Sequence, residues 1–512
     1  MSIKNITLNL PPDFTQDDLK EQIGNEVSSA KFAYRVIKQS FDSRKRDRLH
    51  WQLRVAVADD EKSLNEGLAV PTLNIPHKKR TKKAVVCGSG PAGFFSALVL
   101  RKAGFETTII ERGSDVEKRT EGIAEFERTA EFNPASNYAF GEGGAGTFSD
   151  GKLTSRSKRI SLERDFIISS YIDAGAPAEI ASLAHPHIGS NNLRKIVKNL
   201  REEYIQLGGK ILFETTVTDL KIEKGSVKEV VTDKETLETD YFIMAPGLAA
   251  YDTYRMLMNN GVLFKPKSFA IGHRVEHEQS MINRAQWGVE SLSGVKAAEY
   301  RLTAKETGDF PVYSFCMCPG GIVVPSTAFE NNNIVNGMSF YERSGQFASA
   351  GVVAGIHPDD LLGRKASAME AIEALEEIEQ NFFFATENYK APFCGIRDYI
   401  KQRMPEEIPE TSYPLGLEPY ALWNLLPRPI SKSLRKGLQN FGRKINGFTK
   451  GIIMGLESKT SSPIQVVRNR DSLLADGFDN LFVVGEGSGW AGGIMTSAAD
   501  GIKAAMKIVE AE

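Results

Sequence analysis

The chain has 512 residues, room for about three domains of roughly 150 residues each. Hydrophobic residues make up 41% and charged residues 25%, which excludes wholesale disorder, a fibrous repeat and a membrane-spanning class. Lys and Arg number 63 against 65 Asp and Glu, a formal net charge of -2, and that balance argues against a bulk nucleic-acid binder.

Residues 1 to about 60 read as a small α+β unit. Ile3 to Leu10 alternates apolar and polar residues as a half-buried strand does. Thr15 or Gln16 stands at a helix start with Asp17 and Asp18 in the first turn. Phe32 to Phe41 and Trp51 to Ala58 alternate again, separated by the charged turn Arg44-Lys45-Arg46-Asp47-Arg48. Pro71, Pro76 and the polar run His77 to Lys83 then form a linker.

From Ala84 the pattern changes. Ala84-Val85-Val86-Cys87 is apolar without alternation, as a strand buried on both faces of a parallel sheet requires. A Gly-rich turn, a helix over Ala92 to Ala103 and a strand over Thr107 to Glu111 complete a βαβ unit. Helical periodicity follows over Leu193 to Leu207, and strands over Lys210–Phe213, Val227–Thr232 and Tyr241–Ala245. Residues 266 to 440 mix strands, loops and a helix at Ala366–Asn381. The tail repeats the earlier grammar: Leu481 to Val484, a Gly-rich turn, then a helix from about Thr496 to Glu510.

The sharpest motif is Gly88-Ser89-Gly90-Pro91-Ala92-Gly93. Gly88 permits a tight turn, Gly90 leaves room for a pyrophosphate, and Gly93 lets helix and sheet pack closely. Phosphate then meets unpaired N–H groups at the positive end of the helix. Glu111, about twenty residues on, stands where an acid accepts hydrogen bonds from ribose hydroxyls. This turn alone does not separate NAD from FAD. The tail does, through Val484-Gly485-Glu486-Gly487 and Trp490-Ala491-Gly492-Gly493-Ile494.

With that tail the chain resembles FAD-dependent oxidoreductases that have a split Rossmann domain, such as the glutathione reductase class. The resemblance implies that Glu486, where Asp is commoner, contacts the ribityl chain, and that the helix after Gly493 and Ile494 aims its N-terminus at the flavin. A helix dipole favours negative charge at that end. Phe140 to Lys152 forms a third Gly cluster, whose Gly144, Gly146, Thr147 and Lys152 would approach the isoalloxazine. Ala245-Pro246-Gly247 resembles the Ala-Thr-Gly turn that closes FAD domains, with Pro removing one backbone donor. Arg112 joins the cofactor-binding set beside Glu111.

A narrower resemblance runs through Gly144 to Leu153, His185 to Gly189, Phe315 to Gly321, Asn336 to Ser339 and Ala491 to Ile494. These strings are similar to those of a bacterial and plastid family of predicted FAD-dependent dehydrogenases. The fold expected is α/β: a split Rossmann-like FAD-binding domain with an inserted α+β substrate domain and a small N-terminal α+β module. The expected boundaries are 1–76 for the module and linker, 77–265 and 441–512 for the two parts of the FAD domain, and 266–440 for the substrate domain.

Cys316 and Cys318 are the most provocative residues outside the nucleotide turns. They are candidates for thiol redox chemistry or for a loop lining the substrate pocket, and an oxidised C-x-C pair closes a strained ring. His185, His187 and His273 are candidates for acid–base help. Metal binding by His185 and His187 lacks further ligands nearby, so no metal site is assigned. Arg274 is a candidate for a substrate carboxylate or a negative flavin, with a salt bridge as the plain alternative. Lys152 supports reduced-flavin charge or points to solvent.

The expected function is hydride transfer between flavin N5 and an unidentified small organic substrate. No second Gly-x-Gly-x-x-Gly follows a buried strand, so a nicotinamide or other electron partner would dock transiently. The rival is a flavin-carrying, redox-responsive or RNA-associated binding protein that uses Arg44-Lys45-Arg46 and Trp51 of its N-terminal module. Four cysteines in so long a chain, a start without the apolar core of a signal peptide, and no apolar run near the roughly 18 residues of a membrane helix place the protein in the cytoplasm.

Overall fold

Ile6, Leu8 and Leu10 turn one face of the first strand, Lys4–Leu10, inward, as its alternation requires. In the computed structural model, which describes residues 3–69, 71–155, 158–305 and 308–512, this strand and Ala33–Asp42 flank His50–Ala58 in an antiparallel sheet. The helix Gln16–Val27 lays Leu19 and Ile23 on that sheet. Its start is a capping box: Asp18 N–H donates to Thr15 Oγ1 at 3.2 Å, and Thr15 N–H donates to the Asp18 carboxylate at 2.7 Å. A second helix, Glu61–Gly67, was not expected.

The module is docked on the rest of the chain. Gln39 exchanges two backbone hydrogen bonds of 2.8 Å with Ser182 and Ala184, and the Phe41 ring meets Trp287 edge-on at 6.1 Å. Trp51 donates its indole N–H to Pro12 O at 3.2 Å and packs on Phe41. Arg44 is bound to Asp42 at 2.5 Å. Of the groups an RNA-associated reading uses, Arg46 donates to Ala285 O outside the module, so part of that basic turn joins the docking contact.

Five parallel strands make the nucleotide sheet, in the order Leu481–Val483, Tyr241–Met244, Lys83–Cys87, Glu106–Ile110 and Lys210–Leu212. Both of its faces are covered, which explains the unbroken apolar runs: Val86 packs into one core with Phe95 and Leu98, Val85 into another with Phe242 and Met244. Met244 pairs with Cys87 on one side and Val483 on the other. The turns that begin at Gly88 and Val484 therefore leave the same edge of one Rossmann-like sheet. Their helices, Pro91–Lys102 and Gly493–Ala511, share one core. A Cβ on Gly501 would lie 2.0 Å from the carbonyl oxygen of Ala92, so glycine sets how closely they approach.

The second unit is an eight-stranded, mostly antiparallel sheet. Its long strands are Phe269–Glu278, Val312–Pro325 and Phe347–Ile356, and the helices Ala368–Phe384 and Arg428–Lys444 contribute to the same core. The sheet takes in Ile452–Glu457, which pairs with Phe269–Glu278, so this unit runs past the boundary expected at 440. An apolar run such as Ile-Ile-Met-Gly-Leu fits a buried strand of either sheet, and only the pairing assigns it. The helices Val116–Thr129 and Ser161–Asp173 were not anticipated, and the last helix begins at Gly493 rather than near Thr496.

Gly501→Ala tests the helix approach. The methyl gains about 1 kcal/mol of helix propensity, but it meets backbone that cannot yield. The net expected change is a loss of about 1–3 kcal/mol, the usual cost of overpacking, read by urea unfolding. Equal or higher stability would show that the approach of the two helices is not the constraint.

Candidate active site

A cleft of about 500 Å³ runs from the edge of the nucleotide sheet to the large antiparallel sheet, within the usual 300–1,000 Å³ of ligand sites. The three glycines of the first turn have three different reasons to be there. Gly88 sits at φ +99°, with a Cβ position 2.2 Å from Ala245 O. Gly93 lets its helix rest on the turn, since a Cβ would come 1.9 Å from Gly88 O. At Gly90 the Cβ position is 3.7 Å from Gly144 Cα and meets nothing else within 4 Å. Gly90, Pro91 and Ala92 line the cleft, whereas Gly93 does not.

Two helices start at this cleft, Pro91–Lys102 and Gly493–Ala511, and neither has a side-chain cap. Their first-turn N–H groups have no intrahelical partner. Gly247 and Gly493, both at φ +75°, have open space where a Cβ would stand. Gly88, Gly144, Gly146, Gly485, Glu486 and Ile494, all in the predicted set, also border the cleft. Glu486 receives the backbone N–H of Gly493, and burial pushes its carboxyl up to about 7.

Three expectations change: those for Glu111, Ser89 and Thr147. Glu111 borders the cleft, but its carboxylate is taken by the chain. Oε2 accepts from Ser89 N–H at 2.8 Å and Ser89 Oγ at 2.7 Å; Oε1 accepts from Gly113 N–H at 2.9 Å and Gly141 N–H at 3.0 Å. Four bonds use the capacity of a carboxylate, so Glu111 ties the first glycine turn to the third glycine cluster instead of waiting for ribose hydroxyls. Ser89 is spent on that tie and lies outside the cleft lining. Thr147 also turns away, its hydroxyl donating to Glu142 O at 3.0 Å. Arg112 does line the cleft, gripped by Asp252 through two bonds of 2.8 and 2.6 Å and stacked 4.3 Å over Phe140.

An elongated cleft, two uncapped helix N-termini and glycines facing empty volume fit a dinucleotide: the pyrophosphate at the Gly90 turn and Pro91 helix, a flavin ring toward Gly144–Lys152 and Gly492–Ile494. The comparisons agree. Residues 81–251 match the FAD binding domain family, and residues 268–460 match the FAD-dependent protein, C-terminal domain-like family. An uncharacterized protein of Clostridium beijerinckii is 36% identical over 530 residues, covering 99% of this chain and 98% of that protein. The chain belongs to a family of FAD-dependent oxidoreductases. FAD is its cofactor. Among solved structures, CtdE in complex with FAD is similar at 12% identity, TM-score 0.35, over 84% of each chain. L-Proline dehydrogenase from P. horikoshii is similar at 12% identity, TM-score 0.36, over 85% of this chain and 95% of that one.

In this flavoprotein the histidine candidates fall away from the cleft. None of the three lines it. His273 is fully buried, donates Nδ1–H to Gly455 O at 2.8 Å and packs against Tyr399; burial pushes it down to about 4. His187 donates to Tyr341 O at 3.1 Å and is likewise held near 4 by burial. His185 donates to Glu299 at 2.7 Å on an exposed loop. Two residues of spacing said nothing about which way these rings face.

Arg274 is also no ligand for a substrate carboxylate. Its five donor hydrogens meet five acceptors: Nε to Ser349 Oγ at 3.1 Å, Nη1 to Glu457 at 2.7 Å and Asn336 at 3.4 Å, Nη2 to Cys316 O at 2.9 Å and Cys318 Sγ at 3.3 Å. The salt bridge given as the plain alternative exists: Glu457 is the acid, and both side chains are fully buried. Glu276, on the same strand as Arg274, is bound to Thr411 and Ser412.

The cleft keeps Lys152 and Cys316, and adds Asp150, Phe315 and Asn336, which stand inside the family-like strings without being singled out there, and Lys459, which no sequence motif flagged. Lys152 donates to Met317 O and stands 3.6 Å from Asp150, which Arg343 grips at 2.6 Å. Cys316 has φ +39°, a conformation that costs a non-glycine residue about 1–3 kcal/mol. Its hydrogen bond with Cys318, helped by Lys152 and Arg274, holds its thiol well below the ordinary range. Cys318 is buried and its thiol is pushed up. Among the described residues no group of three or more His, Cys, Asp or Glu side chains is placed to hold a metal ion.

Glu111→Gln turns an amide N–H₂ toward N–H donors. The expected loss is at least about 2 kcal/mol of stability, read by denaturant unfolding, together with weakened FAD retention; unchanged values would remove Glu111 as the tie. Cys316 tests the electrostatics. A thiol with a lowered pKa is already thiolate at pH 7, so its alkylation rate stays flat from about pH 7 to 9, where an ordinary cysteine accelerates steeply. Cys87, pushed up to about 12 by burial, stays unreactive over that range. Mass-spectrometric mapping of iodoacetamide adducts separates the two.

Proposed function

We propose that this flavoprotein is a dehydrogenase or reductase that transfers hydride between flavin N5 and a small organic substrate. The observation that carries the reading is the composition of the cleft: glycine turns of the nucleotide sheet and side chains of the large sheet, Phe315, Cys316 and Asn336, border one volume. Bound FAD supplies hydride-transfer chemistry that no side chain has. The chain supplies the rest. The Gly90 turn and Pro91 helix hold the pyrophosphate, the N-terminus of Gly493–Ala511 and the Lys152 ammonium favour negative charge at the ring, and the large sheet excludes water from one side.

The reading carries its partners with it. The electron donor or acceptor, a nicotinamide or another small carrier, docks transiently, because one Gly-x-Gly-x-x-Gly turn follows a buried strand. A cytoplasmic location is part of the same proposal. It is supported by cysteines that are all unpaired and by the finding that no helix among the described residues is long and apolar enough to cross a membrane.

The purified protein is expected to be yellow and to carry about one FAD per chain. Gly90→Glu places a carboxylate in the pyrophosphate path and abolishes flavin loading while the far-ultraviolet circular dichroism stays unchanged. Stoichiometric FAD in a folded Gly90→Glu variant would remove the site assignment. Anaerobic photoreduction followed by a panel of organic acceptors tests the reaction class. Reoxidation by none of them, with rapid reoxidation by dioxygen alone, would overturn the dehydrogenase reading.

A further inference from the structure

Cys316 and Cys318 lie on a break in the large sheet. The strand Val312–Pro325 pairs Phe315 with Gly351 but Cys318 with Ser349, so three steps along one strand match two along its neighbour. That is a bulge, and Cys316 at φ +39° is its turning point. In a flat strand, residues i and i+2 share a face but stand too far apart for a bond. Here the bulge brings the Cys318 thiol back to residue 316, where it donates to the carbonyl oxygen of Cys316 at 3.4 Å.

Their surroundings are asymmetric. Cys316 borders the cleft that Lys152 and Gly146 also line. Cys318 is fully buried behind it and receives an N–H of Arg274 at 3.3 Å. Two cations thus flank the pair, and the carbonyl of Cys316 is pinned by the same guanidinium at 2.9 Å. Lys152 donates to the carbonyl of Met317, the residue between them. The remaining cysteines are unlike this: Cys87 and Cys394 have thiols raised by burial and no neighbouring thiol partner among the described residues.

We propose that Cys316 and Cys318 form a redox dithiol that exchanges two electrons with the bound flavin, and that the substrate class served is a small dithiol or disulfide entering at Cys316. The inference rests on the FAD site proposed above and names the chemistry of its substrate. In the forward step the Cys316 thiolate and the Cys318 thiol lose two electrons and one proton as the Sγ–Sγ bond forms. FAD takes up both electrons and that proton to become FADH⁻, so charge and atoms balance. An incoming dithiol restores the pair by attacking Sγ of Cys316, the cysteine that borders the cleft, with Cys318 as the leaving thiolate. The second thiol of that dithiol then displaces Cys316, leaving as a cyclic disulfide and returning the protein dithiol.

Anaerobic reductive titration of the oxidised holoprotein with dithionite reads the couple directly. Wild type is expected to consume four electrons per FAD, Cys316→Ser and Cys318→Ser two, and Cys394→Ala four. Alkylation of the denatured, ferricyanide-oxidised wild type should leave Cys316 and Cys318 blocked as one disulfide peptide, with Cys87 and Cys394 labelled; this readout needs no variant to fold. Dithiothreitol should bleach the visible flavin band of wild type at least about tenfold faster than that of either serine variant. Two electrons per FAD with all four cysteines labelled would overturn the dithiol, and equal bleaching in wild type and both variants would overturn the substrate class. Absence of flavin from wild type would instead fail the cofactor site, while the disulfide peptide would still report on the thiols.

Discussion

The strand Tyr241–Met244 holds the molecule's function together through backbone hydrogen bonds alone. It pairs with Lys83–Cys87 on one side and Leu481–Val483 on the other. Residues 88 and 485, nearly four hundred positions apart, therefore emerge at one edge of one sheet. Their helices then run side by side, at a distance set by Gly501 against Ala92. A parallel sheet obeys this order because its crossover helices must cover both faces. The cleft at its carboxyl edge follows from that arrangement, as in other open α/β sheets.

Charge is organised with the same economy of partners. Glu111 spends its whole carboxylate on four donors from three loops, and Arg274 spends its five donor hydrogens on five acceptors. Burying the Arg274–Glu457 pair costs desolvation, and removing either partner would strand a charge at a cost of about 3–5 kcal/mol. Gly337 makes room for it, since a Cβ there would lie 1.8 Å from Arg274 Nη2. The result is a rigid centre in the large sheet that fixes the backbone of Cys316 at the wall of the cleft. Rigid support on strands, rather than on a loop, is what a reactive group needs to keep its geometry.

Gly88, Gly90 and Gly93 were legible because each answers a backbone demand that no other residue meets. The apolar runs at 84–87 and 481–484 were legible because burial on both faces removes alternation. The histidines were not, because a side chain's direction depends on strand pairing: His273 lies on a strand buried on both faces, and its ring turned into the core beside Tyr399. Asn336 and Lys459 border the cleft only because Val335–Ser339 and Ile452–Glu457 join the large sheet, and no local pattern announces that pairing.

What the sequence by itself determined is the kind of cofactor site. Positive φ angles, uncapped helix starts and close backbone contacts are local requirements, and glycine spacing records them directly. What only the tertiary structure decided is the chemistry at the wall. Whether Glu111 meets a ribose or a loop, whether Arg274 meets a substrate or Glu457, and whether Cys316 and Cys318 point together or apart are all set by partners far away in the chain. Electrostatics and hydrogen bonding act across space, and a linear pattern records the donor without recording what stands opposite it.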